Sequence, residues 1–193
     1  PGFELPLGCV DAELPPIAAG PDCSRNNRLL LAAVAPLQAA VDAARSAFGA
    51  HRVGVVIGTS TSGIAEGELA FCAQAETGRL PVDYSYTQQE VSSPARFLSH
   101  HLGLTGPCWV VSTACTSGSR ALLSGARLLE TGVCDVVLAG GVDTLCRMTL
   151  AGFSALQLVS PQVCNPFSAN RNGISIGEGA AMFLLSREAA EVR

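Results

Sequence analysis

The sequence contains no lysine: all 12 of its cationic residues are arginines, set against 16 aspartates and glutamates for a net charge of −4. Without a basic run or stripe, nucleic-acid binding is excluded as the organising function. Aromatics are scarce at 5% and charged residues few at 15%, yet 48% of the chain is hydrophobic. That balance excludes a disordered chain and supports a sizeable buried core. No run approaches the ~18 consecutive apolar residues of a membrane-spanning helix. The opening Pro1-Gly2-Phe3-Glu4 has neither the charged nor the apolar region of a signal peptide. A cytoplasmic protein with no membrane span is expected.

No Cys-x-x-Cys pair occurs among the eight cysteines, Cys9, Cys23, Cys72, Cys108, Cys115, Cys134, Cys146 and Cys164, and no histidine lies near enough to complete a zinc pattern. No metal and no organic cofactor are expected. Cysteines scattered over apolar positions read as small buried side chains in a reducing compartment. A chain that opens without methionine and stops just after a strand-like run is expected to be a piece of something longer.

Residues 1–23 hold five prolines and no helical period, so an extended surface segment is expected there. Ser24 then has the character of an N-cap. Leu29, Leu30, Ala33, Leu37, Ala40, Val41 and Ala44 recur at helical spacing up to Gly49, with Pro36 predicting a kink or a late helix start. The run 53–57 is β-branched and bounded by glycine, a strand buried on both faces, and the small-residue loop 58–63 follows it. A helix is expected over 88–102, a buried strand over 108–113, a helix over 116–130 and a strand over 136–139 ending at Gly140-Gly141. A helix near 148–158, a polar loop over 160–173 and a last strand over 180–186 complete the order. Strands alternating with helices predict one α/β domain over 24–193, with helices on both faces of a mainly parallel sheet.

One position is chemically distinctive. Cys115 falls between a strand and the first turn of a long helix, where free backbone N–H groups and the helix dipole favour a thiolate. The same N–H groups suit the oxyanion formed when a thioester is attacked. Thr113, Ala114, Thr116, Ser117, Gly118 and Ser119 are all small and leave room for a substrate chain or carrier arm to reach the sulfur. Position alone leaves a nucleophile and a buried structural cysteine about equally supported.

The segment Val111-Ser112-Thr113-Ala114-Cys115-Thr116-Ser117-Gly118 resembles the nucleophile motif of the β-ketoacyl-acyl-carrier-protein synthases, or ketosynthases. Asp135-Val136-Val137-Leu138-Ala139-Gly140-Gly141 resembles that family's strand and double glycine. Asn165-Pro166-Phe167 through Arg171-Asn172-Gly173 to Gly177-Glu178-Gly179-Ala180 resembles its loop and glycine-rich strand entry. Gly152-Phe153-Ser154-Ala155-Leu156, Gly54-Val55-Val56-Ile57-Gly58-Thr59 and Gly103-Leu104-Thr105-Gly106-Pro107 extend the likeness over 24–193. Ketosynthase III and thiolases use different residues around their cysteine and fit less well.

The resemblance implies the first, N-terminal half of a thiolase-like fold, the second half being absent, and an enzyme that works as a dimer. It implies that Cys115 accepts an acyl group from an acyl carrier protein or coenzyme A. Decarboxylative condensation with malonyl-carrier protein would follow, assisted by two histidines of the second half. Those histidine motifs are absent, so the chain alone is expected to lack condensation activity. The family also implies that Phe153 lines the acyl pocket and that Thr61 and Ser62 lie near its far end, although core packing and turn formation account for these residues equally well. The expected partners are an acyl carrier protein, which brings its own phosphopantetheine, and either a second copy or a chain length factor.

His51, His100 and His101 read as solvated or helix-end residues. Glu178 reads as a structural acceptor, with Arg171 a candidate partner for it or for another loop carboxylate, and Ser168 and Asn172 stand where the family commonly has aspartates. Two other functions stay open: a non-catalytic chain-length-factor-like partner, against which the retained Cys115 argues, and a fragment able only to dimerise.

Overall fold

Ser24 acts as the N-cap expected of it, its hydroxyl accepting from the Asn27 amide at 3.1 Å. There α1 (Arg25–Val34) begins in the computed structural model, which describes residues 4–187. Pro36 has no N–H to continue the helix. The run accordingly tightens into a 3₁₀ turn at Ala35–Leu37 before α2 (Gln38–Phe48) resumes and closes at Gly49, φ 86°. Residues Arg25–Phe48 are long and apolar enough, by length and composition, to cross a bilayer. In the fold, Leu29, Leu30, Val34 and Val41 of this run are buried in the core.

All six residues of β1 (Val53–Gly58) are buried. Successive side chains point to opposite faces, so Val53, Val55 and Ile57 join Leu29, Leu30, Val41 and Leu98 in one cluster. Val56 packs with Ala121, Leu129 and Val137 in another. Helices therefore cover both faces of the sheet, as the alternation of elements predicts.

A helix that the periodicity does not reveal comes next, α3 (Ile64–Thr77), with Leu69 and Phe71 exposed rather than gathered on one buried face. The helix expected from 88 starts later, as α4 (Ser93–His101): Tyr86–Gln88 forms a 3₁₀ turn, and Pro94 occupies the first turn of the helix, where its missing N–H costs nothing.

β2 (Cys108–Val111) pairs with β1 alone, at the edge of a sheet ordered β2-β1-β3-β4 once β3 (Val136–Asp143) and β4 (Gly179–Ser186) are added. The expected buried strand is in this chain an edge, with Cys108 and Trp109 exposed. β3 outruns the expected 136–139 because Gly140 and Gly141 stay in register with Ile57 and Gly58 on one side and with Met182 and Ala181 on the other. A Cβ on Gly140 would fall 2.0 Å from the Ala181 carbonyl oxygen, so only glycine lets the strands meet there. β1 runs parallel to β2 and β3, and β4 is antiparallel to β3, so the sheet is mixed but mainly parallel. Between β2 and β3 lies α5 (Ser117–Glu130), and between β3 and β4 lies α6 (Arg147–Ala155).

The segment before Ser24 is extended but not detached. Leu14 is buried, the Gly8 amide donates to the Ile176 carbonyl at 2.9 Å, and the Glu178 amide donates to the Gly8 carbonyl at 2.9 Å. Of the two partners open to Arg171, Glu178 is not the one: it pairs with Arg25. Its carboxylate accepts from Arg25 Nε at 2.9 Å and from the Val10 amide at 3.1 Å, with its side chain only 2% exposed. Arg171 instead donates to the Ser168 carbonyl at 3.1 Å. The Arg25 hydrogen bond holds the Glu178 carboxyl below the usual glutamate range, against the opposing effect of burial. The expected boundaries at Pro1 and Arg193 lie outside the described residues.

Candidate active site

The carboxyl ends of parallel strands are where an α/β sheet collects ligand-binding loops. Here three such ends converge: the loop 59–61 after β1, Cys115 after β2 and Asp143 at the end of β3. Cys115 is exposed and lies two residues ahead of the first residue of α5.

The turn that presents it is strained and locked. Ala114 has φ 54°, in the left-handed region that costs a side-chain-bearing residue about 1 kcal/mol or more. Ser117, 3% exposed, offsets this: its hydroxyl donates to the Ala114 carbonyl at 2.6 Å and accepts from the Thr113 amide at 2.9 Å. The Ser117 amide also donates to the Ala114 carbonyl at 3.0 Å, and the Thr116 amide to the Thr113 carbonyl at 3.4 Å. These two N–H groups are thus spent on the turn.

α5 comes close to the sheet because glycines let it. A Cβ on Gly58 would lie 2.4 Å from the Ser117 carbonyl carbon, and Gly141 has Gly118 Cα 3.3 Å from where its own Cβ would stand. The Cys115 turn therefore rests directly on the ends of β1 and β3.

Asp143 organises the opposite rim. Its Oδ1 accepts from the Thr59 hydroxyl at 2.9 Å, the Ser60 amide at 2.7 Å, and the Thr61 amide and hydroxyl, both at 2.9 Å. Thr61 Oγ1 in turn accepts from the Thr144 amide at 2.9 Å. A single carboxylate oxygen thus holds the loop from Thr59 to Thr61 in place beside the sulfur.

Between these parts opens a cleft of about 500 Å³ whose lining includes Cys115, Ser60, Thr61 and Asp143. α6 supplies Met148, Thr149, Gly152 and Phe153 to the lining as one wall, and Ser175 to Gly177 also line the cleft. The apolar wall opposite a sulfur suits a thioester with a hydrocarbon tail. The Ser175 hydroxyl lowers the Cys164 thiol below its ordinary value by hydrogen bonding. Cys134, fully buried, is pushed up by desolvation and is structural.

Of the residues singled out in the sequence, the structure brings Cys115, Thr61 and Phe153 to one cleft. Thr113 is exposed and outside the lining; its Oγ1 and its carbonyl accept from the Thr116 hydroxyl at 3.0 and 2.9 Å, which shapes the turn. Ser62 is buried, its hydroxyl donating to the Glu90 carbonyl at 2.8 Å. None of His51, His100 and His101 lines the cleft. Asp143 was missed by the sequence reading, although an acid just past a double glycine at a strand end was a usable signal; the locking role of Ser117 had none beyond its small size. Among the described residues, no group of three or more His, Cys, Asp or Glu side chains is placed to hold a metal ion.

The family described as β-ketoacyl synthase, N-terminal domain, matches residues 7–191. Nodulation protein E of Rhizobium meliloti is 35% identical over 137 residues, 70% of this chain and 34% of the relative. The tetracenomycin polyketide synthase ketoacyl synthase alpha subunit of Streptomyces glaucescens is 32% identical over 162 residues, 77% of this chain and 38% of that protein. Among solved structures, a ketosynthase in complex with its chain length factor from Xenorhabdus doucetiae superposes with a TM-score of 0.91 at 44% identity, covering 98% of this chain and 48% of that one. A ketosynthase bound to a hexaketide and complexed with its type II polyketide synthase acyl-carrier protein gives 0.74 at 26% identity, covering 94% and 47%. The chain thus spans less than half the length of each of these four proteins.

Proposed function

The chain belongs to the β-ketoacyl synthase family as its N-terminal domain and has a thiolase-like ketosynthase fold, and from this premise we propose that it carries the nucleophile of a condensing enzyme, Cys115. The supporting observation is an exposed thiol on a locked strand-to-helix turn, at the mouth of a cleft with an apolar wall. The Cys115 thiolate attacks the carbonyl carbon of an acyl thioester, forming a new carbon–sulfur bond and a tetrahedral oxyanion. The adduct collapses by breaking the bond to the carrier's phosphopantetheine sulfur, which leaves as a thiolate and takes up a proton. Phe153 and Thr61 contact the acyl group in the cleft. In the whole protein, malonyl-carrier protein then loses carbon dioxide, and its carbanion displaces Cys115 to give a β-ketoacyl product.

The partners in this reading are an acyl carrier protein and either a second copy or a chain length factor, supported by the printed descriptions of the solved neighbours. Eight unpaired cysteines favour a reducing, cytoplasmic setting. The exposed thiol at the cleft speaks against a non-catalytic partner role. Mass spectrometry of the full-length protein after incubation with an acyl-carrier-protein thioester tests the reading. An acyl adduct is expected on wild type and not on Cys115→Ala; an adduct that survives the substitution, or none on wild type, overturns it.

A further inference from the structure

The wall of the cleft formed by α6 is held from outside itself. None of its nine residues is buried, and its N-cap, Cys146, makes no side-chain capping hydrogen bond. The cap comes from α3 instead. Glu68 Oε2 accepts from the Arg147 amide at 2.8 Å and Oε1 from the Met148 amide at 2.7 Å, the first two N–H groups of α6. One turn further along the same face of α3, the Cys72 sulfur accepts from Arg147 Nη1 at 3.8 Å. Among the described residues, these are the only side-chain hydrogen bonds that reach α6 from another helix. A carboxylate suits the place twice over: it satisfies N–H groups that a helix start leaves unpaired, and it sets negative charge at the positive end of the helix dipole.

We propose that Glu68 is a positioning residue for the acyl-binding wall. By clamping the start of α6 it fixes Met148, Thr149 and Phe153 relative to Cys115, and so sets how long an acyl chain the cleft accepts. Glu68 itself does not line the cleft, so its influence passes through the helix. This rests on the ketosynthase reading of the cleft.

The test is Glu68→Gln in the full-length protein, which keeps the side chain's shape but turns one acceptor into a donor facing an amide N–H. Two readouts are taken: hydrogen exchange at the Arg147 and Met148 amides, and labelling of Cys115 by acetyl and octanoyl N-acetylcysteamine thioesters. Exchange is expected to accelerate by about tenfold, the scale of one charge-assisted hydrogen bond. The octanoyl kcat/KM is expected to fall by about tenfold while the acetyl value stays within about twofold. Glu68→Asp, which keeps the charge on a shorter arm, restores part of the octanoyl rate.

Unchanged exchange overturns the proposal. So does raised exchange with an unchanged octanoyl-to-acetyl ratio, or an equal loss for both thioesters with a lowered Tm, which marks a purely structural role. If neither thioester labels wild-type Cys115, it is the ketosynthase reading that fails, and the exchange at 147 and 148 still decides whether Glu68 holds the helix.

Discussion

Gly58→Ala places one methyl group where β1 ends and α5 begins. That methyl would stand 2.4 Å from the Ser117 carbonyl carbon, 2.5 Å from its oxygen and 2.6 Å from the Gly118 nitrogen. All three atoms are backbone, so none can swing aside. Ordinary contact begins at 3.4 Å, and the helix start has to retreat by about 1 Å, the difference between 3.4 and 2.4 Å. Overpacking of this kind costs ~1–3 kcal/mol, which lowers Tm by roughly 2–12 °C for a protein of this size. The chemical effect is larger, because Cys115 rides on the turn that Ser117 locks, and a ~1 Å misplacement costs on the order of 10²-fold in rate. The assay is acyl labelling of Cys115 alongside thermal unfolding, with Gly118→Ala as the control. A methyl at Gly118 meets only the Gly141 Cα, at 3.9 Å, and alanine favours the helix, so that variant should melt no lower than wild type. If Gly58→Ala labels and melts like wild type, backbone contact does not set the position of α5 and the reasoning fails.

Glu178→Gln should cost about 1–2 kcal/mol at neutral pH, less than a fully buried pair because solvent reaches Arg25. The folded-state carboxyl is lowered by Arg25, so its stabilisation is present above the unfolded value of about 4.3 and fades as pH falls through the folded one. Denaturant unfolding at several pH values should show the difference from wild type constant above about pH 5 and shrinking in acid; a difference that grows in acid would contradict the assignment. Asp143→Ala leaves the Thr59 to Thr61 loop without its acceptor and should cost about 3 kcal/mol with slowed Cys115 labelling. Asp143→Asn, which keeps an oxygen acceptor, should lose less; equal losses would mean that the charge, and not the hydrogen-bond geometry, matters.

Much of the frame was legible because its causes are local. Ser24 carries its own capping oxygen, Pro36 lacks the N–H that a helix interior needs, and a β-branched run between glycines has few alternatives to a buried strand. Cys115 was found by its place in the chain order and by the residues around it. What escaped depends on distant partners. The face of α3 is defined by Glu68 reaching α6 rather than by an apolar stripe, so no periodicity announces the helix. Asp143 matters because a loop 82 to 84 residues earlier folds onto it, and no spacing rule encodes that meeting. The exposure of β2 follows from strand order, which the alternation of elements leaves open.

The pairing of Gly8 with Ile176 and of Val10 with Glu178 has a consequence for how the chain is made. The Val10 amide and its acceptor are 168 residues apart, and at ~5–20 residues per second a ribosome needs roughly 10–30 s to deliver the second after the first. Throughout that interval the segment around Val10 has no Glu178 to dock on. The backbone groups around Gly8 stay open to solvent and to chaperones until the residues just before β4 emerge. Closing so distant a contact is slow relative to local helix formation, so the residues around Gly8 and Val10 settle late, although they are made before the segment they dock on.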